Sequence, residues 1–230
     1  MAEAADTKAG ERWGRRWLGF VAGVLAGLVG GYLWQAYRSG TGVFEGNAAR
    51  DAVLAGAAQA RGRAWARPMQ LEGVPNLHQV SEGLYRGAQP TREGMVNLKR
   101  LRIKTVVNLR AEHSDRDDLA GTGLAYEHIN CKAWRPEDED VARFLEVVGD
   151  PNRRPVFVHC QHGADRTGTM CAAYRIVVEG WSKEEAIAEM TRGGFGYHLQ
   201  WFMLVNYLRR LDVARLRQEA GLDATSGGGG

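Results

Sequence analysis

The sequence predicts an α/β domain, a central and mostly parallel sheet flanked by helices, preceded by an N-terminal transmembrane helix. Three observations carry this. Between Asn76 and Leu211, short apolar runs of strand length alternate with longer runs of helix length, as in strands joined by helical crossovers. One run, Val156-Phe157-Val158, passes through His159-Cys160 and a loop holding Gly163 into a helix-compatible stretch from Thr169 to Val178; this reads as buried strand, tight loop and helix. From Trp17 to Tyr37 there are 21 residues without a charge, about 31 Å of helix at 1.5 Å per residue, enough to cross a bilayer core.

Residues 1–38 read as a cytoplasmic stub and membrane anchor. Trp13 and Trp17 flank one end of the uncharged run, and Tyr32, Trp34 and Tyr37 the other, like interfacial aromatic belts. Gly19, Gly23, Gly27 and Gly31 recur every four residues, a spacing that lets two membrane helices approach closely and self-associate. Lys8, Arg12, Arg15 and Arg16 precede the span, whereas Arg38 and Arg50 stand alone after it. That bias leaves the N-terminus in the cytoplasm and the rest of the chain extracytoplasmic, in a periplasm for instance. A cleaved signal peptide is the rival and would give a secreted protein, although no Ala-x-Ala site follows the run. Residues 39–75, rich in Gly and Ala, read as a linker, with a short helix possible over Asp51 to Ala66.

The folded domain is expected over residues 76–212. Leu77 to Val80 and Leu84 to Arg86 bracket Ser81-Glu82-Gly83 as a hairpin. Thr91 caps a helix over Arg92 to Leu101 with Met95, Leu98 and Leu101 on its apolar side. Thr105 to Leu109 is a strand, His113 to Gly123 a loop, and Leu124 to Ile129 a second core strand. Pro136 stands at the first position of a helix carrying Val141, Phe144, Leu145 and Val148, ended by Asp150-Pro151-Asn152. Ser182 caps a helix with Ala186, Ile187 and Met190, broken by Gly193-Gly194-Phe195-Gly196. Leu199 to Leu211 forms one more helix, and residues 213–230 are a C-terminal tail.

The loop after Val158 holds the chemistry. Cys160 and Arg166 are separated by five residues, and the loop leads into a helix N-terminus. Successive backbone N–H groups there can converge on one anion, reinforced by the helix dipole and by Arg166. The same field stabilises a thiolate, so Cys160 reads as a nucleophile. Arg166 presents a planar fork matched to two phosphate oxygens. Backbone N–H groups across Gln161, His162, Gly163, Ala164, Asp165 and Arg166 complete a phosphate cradle. Gly163 and Gly168 allow tight turns. An oxyanion cradle with a thiolate at its floor suits attack on a phosphomonoester.

The string His159-Cys160-x5-Arg166-Thr167-Gly168 resembles the signature of the cysteine-dependent protein tyrosine phosphatases, and its wider context the atypical, bacterial-type dual-specificity branch. Leu84-Tyr85-Arg86-Gly87-Ala88-Gln89-Pro90 and Thr105-Val106-Val107-Asn108-Leu109-Arg110 support it. The resemblance implies a tyrosine-phosphatase-like fold and a cysteinyl-phosphate intermediate on Cys160. It also implies a Thr167 hydroxyl that stabilises the departing thiolate, and a His159 that orients the loop. For the general acid it offers two answers. Asp138, in Trp134-Arg135-Pro136-Glu137-Asp138, faintly resembles a Trp-Pro-Asp loop. Asp165, immediately before the loop arginine, resembles the proposed proton donor of myotubularin-type and bacterial lipid-directed phosphatases, and is preferred. Glu137, Asp138 and Asp140 also suit a helix's first turn, where acids complement the dipole.

No cofactor and no metal are expected: no step needs one, and Cys131, Cys160 and Cys171 lack zinc spacing. With 44% hydrophobic and 25% charged residues the chain is ordinary globular protein, and a net charge of +3 is too small to argue for nucleic acid. The expected partners are a phosphorylated protein, a small phosphomonoester or a phospholipid. Lys132 and Arg135 are basic candidates near the loop, and Arg110 either faces the same cleft or pairs with Asp115 to Asp118. A phosphoinositide or inositol phosphate is the alternative substrate on the same site. A weak phosphate-binding module is opposed by the intact Cys, Arg and Thr; a sulfurtransferase or reductase is opposed by the lack of a resolving Cys in the loop.

Overall fold

The computed structural model describes residues 63–132 and 134–223. Six strands form one sheet in the order β1-β2-β3-β6-β4-β5. They are β1 (Arg67–Pro68), β2 (His78–Ser81), β3 (Leu84–Gly87), β4 (Thr105–Asn108), β5 (Ala125–His128) and β6 (Val156–His159). The pairs β1–β2 and β2–β3 are antiparallel, while β3–β6, β6–β4 and β4–β5 are parallel. The sheet is therefore mostly parallel, with an antiparallel flank made by the expected hairpin around Glu82-Gly83.

The helices are α1 (Arg92–Arg100), α2 (Arg116–Leu119), α3 (Asp138–Gly149), α4 (Asp165–Val177), α5 (Lys183–Arg192), α6 (Phe202–Arg210) and α7 (Val213–Glu219), with a 3-10 turn at Leu199–Trp201. Period-two alternation along the central strands decides which layer each side chain joins. Val156 and Val158 of β6 and Val107 of β4 face the larger core, with Phe144, Leu145, Met170 and Met190. Phe157 and Val106 face the smaller one, with Met95, Leu98 and Ile103. Strand β6 is thus buried on both faces, which is why it reads as an unbroken apolar run.

Caps set the helix starts. Thr91 accepts from Gly94 N at 3.1 Å. Ser182 and Glu185 form a full capping box on α5. Both match the sequence expectation, as do the buried faces of α1 and α3.

Several expectations are corrected. β5 is an edge strand with exposed and half-buried residues, not a core strand: Ala125 and His128 are exposed, and Tyr126 and Glu127, on opposite faces, are each half-buried. Helix α3 starts at Asp138, with Pro136 two residues before it rather than at its first position. The loop expected to run to Gly168 ends at Ala164, so Asp165 and Arg166 already lie in the first turn of α4. Gly168 is therefore helical; a Cβ there would come within 2.9 Å of Met190 Cγ, so its absence serves the close packing of α4 on α5 rather than a turn. The stretch 113–123 contains α2. The folded unit also exceeds 76–212 at both ends. Ala66 is buried in the larger core and Arg67–Pro68 pairs with β2, while Leu216 and Ala220 of α7 and its end pack into the same core.

Among the described residues no helix is long and apolar enough to cross a membrane. The transmembrane expectation for 17–37, the linker over 39–62 and the last residues of the tail, 224–230, lie outside the described residues.

Candidate active site

β6 delivers His159 and Cys160 to the C-terminal edge of the parallel strands, and Gly163 turns the chain back into α4. Gly163 has φ +70°, and a Cβ on it would meet the backbone carbonyl of Gly87 at 2.4 Å. No other residue type fits there without strain. The chain between Cys160 and Arg166 is thus bent tightly against the end of β3, and Gln89 N donates to Gln161 O at 3.2 Å to close that contact. Asn76, itself at φ 55°, donates through Nδ2 to His162 O at 3.0 Å and to Phe195 O at 2.9 Å, tying the loop to the α5–α6 connection.

His159 is fully buried, and its Nε2 lies 2.8 Å from Asp115 Oδ2. Nδ1 lies 3.3 Å from Cys160 O, and the ring stacks on Phe157 with centroids 5.7 Å apart. Burial pushes the Asp115 carboxyl up, but hydrogen bonds from His159 and Gln89 and the nearby imidazoles outweigh it and hold it below its ordinary value. It is therefore a carboxylate, and His159 Nε2–H donates to it. Gln89 Nε2 donates to Asp115 Oδ1 at 2.8 Å, and Arg110 donates to Gln89 Oε1 at 3.0 Å. So Arg110 joins this network through Gln89. In the sequence Asp115 is one of a polar run, and Gln89 and Arg86 stand within their motif with no sign of a separate role. Nothing in the local pattern marks Asp115, because its partner lies 44 positions away.

Cys160 is buried, and all three cysteines are free thiols. Burial pushes the Cys131 thiol up to about 12, with Asp140 adding to it, and the Cys171 thiol up to about 11. Neither of those two is a thiolate at neutral pH. Arg166 is half-buried and donates to Leu109 O at 3.2 Å, which anchors its guanidinium against the end of β4. The Thr167 hydroxyl is buried with no hydrogen-bond partner among the described residues. A buried hydroxyl without a partner is uncommon and calls for an explanation.

The two candidate acids fare differently. Asp138 accepts from Tyr207 Oη at 2.8 Å and stands 3.7 Å from Arg215, so it ties α3 to α6 and α7. Asp165 sits in the loop's own helix turn. Its Oδ1 accepts from His198 N at 3.0 Å, and its Oδ2 lies 2.8 Å from His198 Nδ1. The His198 ring in turn meets the His162 ring edge-on, centroids 5.9 Å apart. Asn76, His162, Phe195 and His198 line a surface cleft beside the loop. In the segment before α3 the backbones of Lys132 and Arg135 pair in an isolated antiparallel bridge, their side chains form ion pairs with Glu137, and Trp134 is exposed. Burial and Glu137 raise the Asp140 carboxyl.

A thiol at the floor of a strand–loop–helix cradle, with an arginine in the helix's first turn, defines a cysteine-dependent phosphatase. Comparison with known proteins agrees. Residues 72–198 match the family model described as DSP-PTPase phosphatase fused to NAD+ kinase. The chain is 38% identical over 158 residues to the dual specificity protein phosphatase TpbA of Pseudomonas aeruginosa, covering 68% of this chain and 71% of that protein. The crystal structure of P. aeruginosa TpbA superposes with a TM-score of 0.61 at 36% identity, over 70% of this chain and 99% of that one; a Cys-to-Ser form of TpbA has been solved in complex with pTyr. Inositol diphosphatase DSP3 of Arabidopsis thaliana is 26% identical over 152 residues, covering 62% of this chain and 73% of that protein. The chain belongs to the atypical cysteine-dependent dual-specificity phosphatases. It is a phosphomonoester hydrolase.

Proposed function

We propose that this phosphatase acts on phosphotyrosine-type and related phosphomonoesters through a cysteinyl-phosphate on Cys160. The observation that carries the reading is the path of one segment: β6 ends at His159-Cys160, and α4 begins within six residues with Arg166 in its first turn. Cys160 Sγ attacks phosphorus as the bond to the leaving oxygen breaks. Arg166 binds two of the phosphate oxygens, and loop N–H groups from Gln161 to Arg166 bind the rest. His159, held by Asp115, fixes the loop. Thr167 donates to the thiolate when water hydrolyses the cysteinyl-phosphate.

Asp165 is the carboxylic acid that gives its proton to the leaving oxygen; its place in the first turn of α4, directly after the loop, supports this, with His198 N and Nδ1 positioning its two oxygens. Asp138 is committed elsewhere, to Tyr207 and Arg215. Phosphate release by the full-length chain, without added metal, tests this on a phosphotyrosine peptide, a phosphoserine peptide, phosphoinositides and inositol phosphates. Cys160→Ser abolishes turnover. Asp165→Asn lowers kcat about a hundredfold on substrates with poor leaving groups, whereas Asp138→Asn stays within a few-fold. The reverse ranking of the two Asp variants would overturn the assignment of the acid. Turnover confined to the inositol phosphates would favour the second reading, which the likeness to an inositol diphosphatase supports.

Residues 1–38 are further proposed as a single-pass anchor with an extracytoplasmic catalytic domain, and the Gly19, Gly23, Gly27, Gly31 face as a site of helix-mediated self-association. The uncharged 21-residue run supports this. The full-length chain should stay with membranes after an alkaline wash, and a chain beginning at residue 39 should not. A shortened product in the soluble fraction would mark a cleaved signal instead.

A further inference from the structure

Arg86 lies on β3, next to β6, at 1% exposure. A buried cation is costly unless something compensates it, yet no carboxylate among the described residues forms an ion pair with it. The nearby Glu189 carboxylate is taken by Arg175, at 2.8 Å to each oxygen, and by Ala66 N. Arg86 instead donates through Nη2 to Gly163 O at 2.7 Å and, more weakly, to Ala164 O at 3.4 Å. Its Nε has no partner among the described residues. Its guanidinium carbon stands 3.7 Å from the centroid of the Phe195 ring.

The two carbonyls belong to the middle of the phosphate loop. In a trans peptide the C=O and the following N–H point in opposite directions. A carbonyl drawn toward Arg86 therefore turns its N–H away from Arg86. The Ala164 carbonyl also takes the first helical bond of α4, from Gly168 N at 2.8 Å, so the Gly163 carbonyl is the one that Arg86 governs. We propose that Arg86 is a positioning residue for the reaction: by holding the Gly163 carbonyl against β3 it turns the Ala164 N–H into the cradle, where the helix start turns that of Asp165, and it places a buried positive charge behind the bound phosphate. The inference rests on the phosphatase reading. It assigns to Arg86 a share of the anion field beside those of α4 and Arg166. A purely structural side chain at this place, packed on Phe195 and the underside of α4, would have no need of charge. A field source and a carbonyl clamp need both the charge and the fork.

The test uses the full-length chain and inorganic phosphate as probe. In the wild type, phosphate should shift the backbone amide resonances of Ala164 and Asp165 in ¹⁵N-resolved NMR spectra. Arg86→Met should bind phosphate about tenfold more weakly or worse, the size expected for losing charge-assisted hydrogen bonds. It should also slow iodoacetamide alkylation of Cys160 at neutral pH and lower kcat. Arg86→Lys, which keeps the charge but loses the fork, should recover the alkylation rate more fully than the phosphate affinity. A folded Arg86→Met with wild-type affinity and alkylation rate would overturn the proposal. Should that variant fail to fold, Arg86→Lys with wild-type behaviour in both assays would overturn it. So would wild-type Ala164 and Asp165 amides that do not respond to bound phosphate. A wild-type chain that neither turns over any substrate nor binds phosphate overturns the phosphatase reading itself, and this inference with it.

Discussion

Asp115 does more for the site than its surroundings in the sequence suggest. It is a fully buried carboxylate holding His159, Gln89 and, through Gln89, Arg110. Asp115→Asn keeps one acceptor but loses the charge and the second acceptor, and should cost about 1–3 kcal/mol in urea denaturation while lowering kcat. The pH dependence follows from its lowered carboxyl. A carboxyl whose folded value is depressed contributes stability that is fully present above its unfolded value, ordinarily 3.8, and lost as pH falls through the folded one. Glu127, where burial opposes but the Arg153 and Arg143 hydrogen bonds prevail, acts in the same direction. Melting temperatures of the wild type should therefore fall steeply below about pH 4, and those of Asp115→Asn less steeply. At Asp165 the sequence carries no sign of the partner that the fold supplies: His198 is 33 positions away, and nothing local links the two.

Among the elements, the loop and the caps can be tested singly. Gly163→Ala would force a Cβ to within 2.4 Å of the Gly87 carbonyl in a backbone conformation that side chains resist. It should cost about 2 kcal/mol or more and remove activity, read by thermal melting and phosphate release. Ser182→Ala loses the oxygen that accepts from Glu185 N and the donor that holds Glu185 Oε2. It should cost about 1 kcal/mol in a denaturant titration with an unchanged slope and unchanged kcat, since α5 lies behind α4 rather than at the loop. The capped starts of α1 and α5 were legible because capping is local chemistry, three residues wide. The start of α4 was not. Asp165 suits a helix's first turn, where an acid complements the dipole, but the polar loop residues before it mark no boundary, and the start is set by the turn at Gly163 and the packing of α4 on the sheet.

At the scale of the whole molecule, the catalytic unit is larger than its motifs. A chain of residues 63–223 should melt at least about 5 °C above one of 76–212, because the shorter chain exposes the sites that Ala66, Leu216 and Ala220 fill. Equal melting temperatures would mean that these edges contribute nothing. The sequence by itself determined the α/β class, the central strand, the nucleophile–arginine spacing and the buried faces of α1 and α3, since periodicity, capping and a contiguous loop are all written over a few neighbouring residues. Only the fold shows that β5 is an edge, that α7 closes the core, and that Asp138 ties α3 to α6 and α7. It alone also brought Asp115, Arg86 and His198 to one loop from distant segments. Contacts between segments far apart in the chain are made by the packing of layers on a sheet, and no local pattern of residue types encodes which of them will meet.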